Sequence, residues 1–246
     1  MNHNTVYKVI IFSIVSLMIG LFLATFSGIR EFLPELLRGM VVTVRVTVCG
    51  AMVAVMAAFI AALFKMYGTF PLRVLAGIYI ETFRGTSALV QLFWLFFVLP
   101  HFGVTLSPFT VAVTALGLNI GAYGAEVIRG TIQSIDMGQW EAATALNLTR
   151  LQALRRVILP QAVVAMIPPW GNLFIELLKS TALVSLITLS DLTFKAQQLN
   201  QNTLKTVKIF SLVLFLYFGI SMVITSLMRL MEHRAGKGLD RGRTSS

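Results

Sequence analysis

The chain has 246 residues, of which 57% are hydrophobic and only 12% are charged. An ordinary soluble domain has about a quarter charged residues, so this composition excludes a soluble globular protein and predicts an integral membrane protein. The formal net charge of +10 would suit nucleic acid, but the basic residues flank long apolar runs, as they do in membrane proteins. We therefore expect a lipid environment and no nucleic-acid partner.

A transmembrane helix needs roughly 20 mostly apolar residues. Residues 9–26 predict a first span; a signal peptide is the alternative, because Lys8 precedes the run and small residues follow it. A break at residues 100–103 predicts a tight hairpin. Residues 71–83 are expected to form an amphipathic connector along the inner interface. The sequence therefore predicts an all-α protein with about six transmembrane helices. The spans after the first are residues 46–64, 86–102, 104–125, 162–189 and 209–228.

The fifth predicted span, residues 162–189, contains charged and helix-breaking residues. Pro168, Pro169, Glu176 and Lys179 are all unusual in contact with lipid. We therefore expect this span to pack inside the protein.

The basic residues predict the orientation. With a cytoplasmic N-terminus, 13 Lys and Arg side chains lie inside and five outside, with Arg45 and Lys179 in or near the membrane. This excess predicts cytoplasmic N- and C-termini and a cytoplasmic loop at residues 128–160.

Two short helices are predicted within that loop. Asp136 followed by Gln139, and Thr149 followed by Gln152, both have the form of a capping box. The helices would cover about 137–146 and 150–158. Asn147 lies between them, and asparagine tolerates the left-handed conformation that ends a helix. The prediction is a helix-turn-helix elbow.

The sequence EAATALNLTRLQALRRVILP at residues 141–160 resembles the cytoplasmic signature of permease subunits of bacterial ABC importers. That signature has Glu-Ala-Ala, a glycine four residues after the last alanine, and a terminal Ile-x-Leu-Pro. Asn147 replaces the glycine, and Leu159 directly follows Ile158.

Other segments resemble the polar amino-acid and opine branch of these permeases. They are residues 84–86 with 90–93, 121–123 with Glu126 and 129–130, and 178–185. Residues 93–100, 145–147 and 167–172 look most like the ectoine and hydroxyectoine importer permeases.

The resemblance implies a type I ABC importer transmembrane domain over residues 32–236, with the coupling loop at 128–160. It leaves an additional N-terminal transmembrane helix at 1–31 and a basic tail at 237–246. Such a permease lies in the bacterial inner membrane. It works with a separate ATPase dimer, a second permease subunit that is a related chain in the ectoine branch, and an extracytoplasmic solute-binding protein.

No Walker A pattern is present in the sequence, since residues 236–238 lack the required spacing. The resemblance therefore implies that ATP binds to the partner ATPase, against which the elbow docks. A role for Glu141 in helix packing alone is the alternative. The residues expected to couple to the ATPase are Glu141, Ala142, Ala143, Asn147, Arg155 and Arg156.

Polar groups within the spans are candidates for the substrate path, because a polar or charged group in a membrane usually pairs or faces a cavity. Two alternatives stay open: Glu176 and Lys179 pair with each other, and Glu126 pairs with Arg129. The candidates are Gln91, Asn119, Glu126, Asn172, Glu176 and Lys179.

Other function classes fit the sequence less well. The three histidines lie far apart without metal-ligand spacing, so we expect no catalytic residues, metal or cofactor. An ion-coupled secondary transporter, the alternative function, usually has two related halves, and no internal repeat is evident. The favoured prediction is a permease subunit of an ATP-driven importer for a small polar amino acid or compatible solute, with ectoine as one possibility.

Overall fold

The computed structural model describes the backbone of residues 29–240 and the side chains of residues 31–235. The predicted first span at 9–26 and the last residues of the basic tail lie outside the described residues. Within the described part, all regular elements are helices: α1 (Ile29–Tyr67), α2 (Phe70–Gly85), α3 (Ala88–Phe93), α4 (Pro108–Gln133), α5 (Met137–Ala145), α6 (Arg150–Ala153), α7 (Leu159–Ser180), α8 (Leu192–Thr203) and α9 (Thr206–Asp240).

Four described segments are long and apolar enough to cross a membrane: Glu31–Tyr67, Pro108–Gln133, Arg150–Ile187 and Thr206–Ala235. Phe70–Gly85 and Ala88–Phe102 add a fifth span if the pair, bent by 106°, is counted as one. The span predicted at 86–102 is therefore only the second half of a broken helix. Each of the other four predicted spans within the described residues overlaps a long helical segment.

The predicted hairpin break is confirmed at residues 99–107. A π-helical turn, Trp94–Val98, and a 3₁₀ turn, Leu99–Phe102, follow α3, and Gly103 adopts a left-handed conformation with φ of 82°. The next helix begins at Pro108 because the Ser107 hydroxyl accepts a hydrogen bond from the amide of Thr110. The fourth predicted span is thus displaced by four residues at its start.

Helix α4 lies at the centre of the bundle. Its glycines allow close approach: a Cβ on Gly117 would lie 2.8 Å from Val53, and one on Gly124 would lie 2.6 Å from Trp170. In its most apolar stretch 67% of residues are buried, against 33% in the segment that contains α7. The fifth span packs against the described part of the chain along one face, which includes Trp170, Leu177 and Leu178, whereas α4 is enclosed more completely because its small side chains permit close contact.

Helix α2 is packed into the bundle. Ala76 and Ile80 are buried, and the carbonyl of Phe83 accepts a hydrogen bond from Asn119, near the middle of α4. From Phe70 to Phe83 the helix rises about 20 Å, so it runs back along α1 as far as the middle of α4. The expected connector along the interface is a packed half-helix instead.

At the end of the bundle opposite residues 134–158, α8 is anchored to α1. Helix α7 continues as a 3₁₀ turn, Thr181–Ile187. The Asp191 carboxylate then caps α8 by accepting a hydrogen bond from the amide of Phe194 at 2.8 Å. The amide of Leu192 donates to the hydroxyl of Thr43, which lies on α1 and is fully buried. We call this the far end and the end bearing residues 134–158 the elbow end.

Candidate functional site: the elbow and the polar groups of the spans

Helix α5 forms the first arm of the elbow. Asp136 caps it by accepting a hydrogen bond from the amide of Gly138 at 2.6 Å. The predicted capping box is wrong at its second member, because the Gln139 side chain accepts a hydrogen bond from Gln161 at 3.1 Å. This bond joins the start of the first arm to α7.

The bend of the elbow is a complete Schellman motif. Asn147 has φ of 52°, in the left-handed region. The amide of Leu148 donates to the carbonyl of Ala143 at 3.1 Å, and the amide of Asn147 donates to that of Thr144 at 2.9 Å. These two bonds satisfy carbonyls that the helix end would leave unpaired. The predicted left-handed conformation of Asn147 is confirmed. Asparagine therefore forms the same bend for which the permease signature has glycine.

The second arm begins as predicted but does not end where predicted. Thr149 and Gln152 form the expected capping box. A π-helical turn, Leu154–Ile158, follows α6, and in it the amide of Leu159 donates to the carbonyl of Leu154. This turn shifts the hydrogen-bond register just before Pro160, so the helix accommodates the proline ring. The second arm therefore continues into α7 as one segment, Arg150–Ile187.

Three large apolar side chains and one carboxylate of the elbow are exposed. Met137, Leu146 and Leu151 are 69%, 74% and 62% exposed, and Glu141 and Ala142 are also exposed. We call these five residues the elbow face. Exposed apolar side chains at this density are typical of a surface that binds another protein.

Burial divides the apolar residues of the elbow. Ala143 is only 2% exposed, so it packs within the elbow and offers no surface to a partner. On the second arm, Ile158 is buried whereas Leu151 is exposed, so one side of this arm packs against the rest of the protein and the other does not.

The charged residues of the elbow are exposed. Glu141, Arg155 and Arg156 form no ion pair with any residue that the structure describes. Glu141 therefore has no ion-pair partner among the described residues.

Two candidates for the substrate path, Gln91 and Asn119, lie together at the break between α2 and α3. The Gln91 amide donates to the carbonyl of Phe83 at 2.9 Å and to the hydroxyl of Thr86 at 2.6 Å. Asn119 donates to the carbonyls of Phe83 and of the Gln91 side chain, at 2.9 and 3.1 Å. These bonds satisfy backbone groups that the broken helix leaves unpaired, which is a structural role.

Glu126 lies in an ion cluster. It accepts from Lys65 Nζ at 2.9 Å and from Arg129 Nη2 at 2.6 Å. The alternative in which Glu126 pairs with Arg129 is confirmed, with Lys65 as an additional partner that the sequence did not indicate. Glu126 is thus not a free carboxylate facing a cavity.

The remaining candidates lie on the exposed side of α7. Glu176 and Lys179 are exposed and form no ion pair with one another, so the predicted pairing is wrong. Asn172 lies one helical turn before Glu176 on the same side of α7. It lines a cavity of about 220 Å³ between α7 and α9, together with Pro168, Gly171, Arg229 and Glu232.

The sequence analysis did not predict one buried carboxylate. Asp191 is fully buried, and its second oxygen, Oδ2, has no hydrogen-bond partner among the described residues. Burial raises the pKa of this carboxyl to about 6, while the backbone amides of Phe194 and Thr193 act in the opposite direction. Its position before a polar helix signals a cap, but its burial depends on Thr43 and Gly39 of α1.

No group of three His, Cys, Asp or Glu side chains among the described residues could hold a metal ion. What the described residues offer is an outward elbow face and a set of polar groups along the spans.

The chain matches the family model described as "Binding-protein-dependent transport system inner membrane component" over residues 50–237. The chain belongs to this family. Three relatives are permease proteins of transport systems. One is the probable amino-acid ABC transporter permease protein y4tF of Sinorhizobium fredii, 47% identical over 82% of this chain and 88% of the relative.

The second relative of this permease is the L-cystine transport system permease protein TcyB of Bacillus subtilis, 39% identical over 86% of this chain and 89% of that protein. The third is the glutamine transport system permease protein GlnP of Escherichia coli K12, 34% identical over 85% of this chain and 96% of that protein. The predicted recognition as an ABC importer permease of the amino-acid branch is confirmed.

A crystal structure of an amino acid ABC transporter with histidines matches the fold with a TM-score of 0.80. The identity is 36% over 85% of this chain and 98% of that chain. The fold class, an all-α type I ABC importer transmembrane domain, is confirmed. The protein is a membrane-embedded permease subunit and not an enzyme, and the relatives described here give no support to the ion-coupled alternative.

Proposed function

We propose that this permease couples solute import to a separate ATPase dimer through the elbow face. The single observation that carries the proposal is the elbow itself: a hairpin closed at Asn147, on which large apolar side chains and Glu141 are exposed. Such a surface suits a groove in a partner protein, where Glu141 would meet backbone amides or basic groups. Arg155 and Arg156 would contact the rim of the same groove.

The continuity of the second arm with α7 supports a lever mechanism. A movement of the ATPase that tilts the elbow would tilt Arg150–Ile187 as well, because no loop separates the arm from the span. Closure of the ATPase dimer on nucleotide would then move the spans as rigid bodies. Asn147 holds the angle between the two arms.

The orientation that we propose places both termini and the elbow in the cytoplasm. The excess of Lys and Arg in the loops on the elbow side supports it. We propose the same domain division that the sequence predicts: an additional helix at 1–31, the permease domain at 32–236 and a basic tail at 237–246.

We propose a small zwitterionic amino acid or compatible solute as the substrate. The names of the relatives, which include glutamine, cystine and amino-acid permeases, support an amino acid. Glu176 and Lys179 provide opposite charges that no described residue neutralises, which fits an ammonium and a carboxylate of the solute. Asn172 would provide a neutral polar contact, and Gln91 and Asn119 would shape the path by holding the break between α2 and α3. Ectoine is the compatible solute suggested by residues 93–100, 145–147 and 167–172.

The proposed assembly has four kinds of component. Besides this chain, it contains the ATPase dimer, a second permease subunit of related sequence and an extracytoplasmic solute-binding protein. The family description, with its binding-protein-dependent transport, supports the last of these.

Substitution Glu141→Lys tests the coupling proposal in proteoliposomes that contain the full transporter. We expect solute-stimulated ATP hydrolysis to fall at least about tenfold, because a buried charge reversal at an interface costs several kcal/mol, while the amount of inserted permease is unchanged. Asp240→Lys, a reversal of the same size at the end of α9, is the control. Normal stimulation in Glu141→Lys would refute docking through the elbow face.

A further inference from the structure

Three side chains tie α1 to α4 at the elbow end. The Glu126 carboxylate contacts Lys65 of α1 through Oε1 and Arg129 of α4 through Oε2, at 2.9 and 2.6 Å. The side chains of Lys65, Glu126 and Arg129 are 26%, 18% and 34% exposed. Water and salt therefore screen their charges less than they would at an open surface. We call these residues the inner ion cluster.

The cluster lies where movement of the elbow would enter the bundle. Glu126 and Arg129 are on the last two turns of α4, which ends at Gln133, and α5 begins four residues later at Met137. Lys65 lies in the last turn of α1. On α4, the cluster is therefore closer to the elbow than the glycine contacts with α1.

Packing already holds α1 and α4 together farther from the elbow. A Cβ on Gly117, Gly121 or Gly124 would lie within 3.0 Å of atoms of α1. Beyond Gly124, toward the elbow, the bond from Lys65 to Glu126 is the polar link that crosses between the two helices.

Within the cluster, the two bonds differ in what they can do. Arg129 contacts Glu126 through two nitrogens, Nε at 3.0 Å and Nη2 at 2.6 Å, and both residues belong to α4. The Glu126 charge is therefore neutralised inside its own helix, and it does not require Lys65 for that purpose. The Lys65 bond adds only the connection between helices.

We infer that Lys65 is a positioning residue for transport: it makes the inner end of α1 follow α4 when the elbow moves. The inference rests on the proposed function, in which the elbow is driven by an ATPase. Loss of the Lys65 bond leaves ATP hydrolysis running while α1 lags behind, so fewer solute molecules cross per ATP.

Substitution Lys65→Met tests this inference, because it removes the ammonium group and leaves the Glu126–Arg129 pair in place. Proteoliposomes with the full transporter are supplied with glutamine and its binding protein, and uptake and ATP hydrolysis are measured together. We expect glutamine transported per ATP to fall about fivefold, the lower end of common couplings between sites, with an unchanged melting temperature. Lys65→Arg, which can keep the bond, restores the ratio.

Lys205→Met is the matched control. Lys205, the residue before α9, bonds to Glu31 of α1 at 2.9 Å at the far end. Lys205→Met removes an ion pair with the same distance of 2.9 Å, but one that is distant from the elbow. The amount of glutamine transported per ATP therefore stays as in the wild type. An unchanged ratio in Lys65→Met, an equal fall in Lys205→Met, or no restoration by Lys65→Arg would overturn the inference.

The failure of the proposed function gives a different result. In that case the wild type shows no ATP-driven uptake of glutamine or of ectoine, and Glu141→Lys changes nothing. A wild type that transports and responds to Glu141→Lys, with Lys65→Met unaffected, refutes only the role of Lys65.

Discussion

The elbow and the far-end turn that joins α7 to α8 both start a helix with a side-chain cap, but they obtain their other hydrogen bonds differently. At the elbow, Thr149 and Gln152 cap each other and the bonds at Asn147 span at most five residues. At the far end, the amide of Leu192 bonds to Thr43, which is 149 residues away. A turn satisfied by its own residues can move as a unit, whereas one satisfied by another helix is fixed to it.

This comparison assigns different roles to the two ends. The far end is an anchor, with Asp191 fully buried between α8 and α1. The elbow is exposed and joins the bundle through α4 and α7. We therefore expect substitutions at the far end to change stability, and substitutions at the elbow to change coupling.

Asp191 gives the largest expected effect on stability. Its folded pKa of about 6 is above its usual value of 3.8, so the folded state holds a proton that the unfolded state releases. Stability from this group is therefore complete below about pH 4 and falls as pH rises to about 6, by up to about 3 kcal/mol. Asp191→Asn keeps the acceptor for the amide of Phe194 and removes the titration.

Thermal unfolding in detergent from pH 4 to pH 7 measures this effect. The stability of Asp191→Asn relative to wild type should rise across pH 4–6. Asp191→Ala, which loses the cap, should be about 1–2 kcal/mol less stable than Asp191→Asn at every pH. Parallel pH profiles for Asp191→Asn and the wild type would refute the claim that titration of Asp191 changes the stability of the protein.

Asn147 gives a smaller effect on stability and a specific effect on coupling. Asn147→Val places a β-branched residue at φ of 52°, which costs about 1–2 kcal/mol and misdirects the second arm. Solute-stimulated ATP hydrolysis should fall, whereas Asn147→Gly should retain it.

Leu204 provides the matched control for Asn147. It ends α8 at the far end with φ of 55°, so Leu204→Gly relieves similar strain away from the elbow. The melting temperature should rise slightly with no change in coupling. Normal coupling in Asn147→Val would contradict the role of the bend.

The sequence predicted the local features well. Asn147, the Thr149 cap and the break after residue 99 depend on residues close in the chain, and the structure confirms all three. The family followed from residues 141–160 and the neighbouring segments.

Features that depend on packing between distant helices were not predictable in the same way. The bond between Gln139 and Gln161 competes with a capping box that looks correct locally. The contact of Lys65 with Glu126 joins residues 61 positions apart. The burial of α4 depends on which of its small residues contact α1. The hydropathy of the sequence does not show these contacts.

The most direct measurement is the accessibility of the elbow face to a thiol reagent. Cys49 is the single cysteine of the chain, so Leu146→Cys in a Cys49→Ser background gives one reporter on a residue that is 74% exposed. Leu204→Cys in the same background reports on the far end, where Leu204 is 81% exposed. If the elbow docks on the ATPase, binding of the ATPase dimer will slow maleimide labelling of Leu146→Cys at least about tenfold, because an interface core excludes water, and will leave Leu204→Cys unchanged. Equal labelling of Leu146→Cys with and without the ATPase would contradict the account.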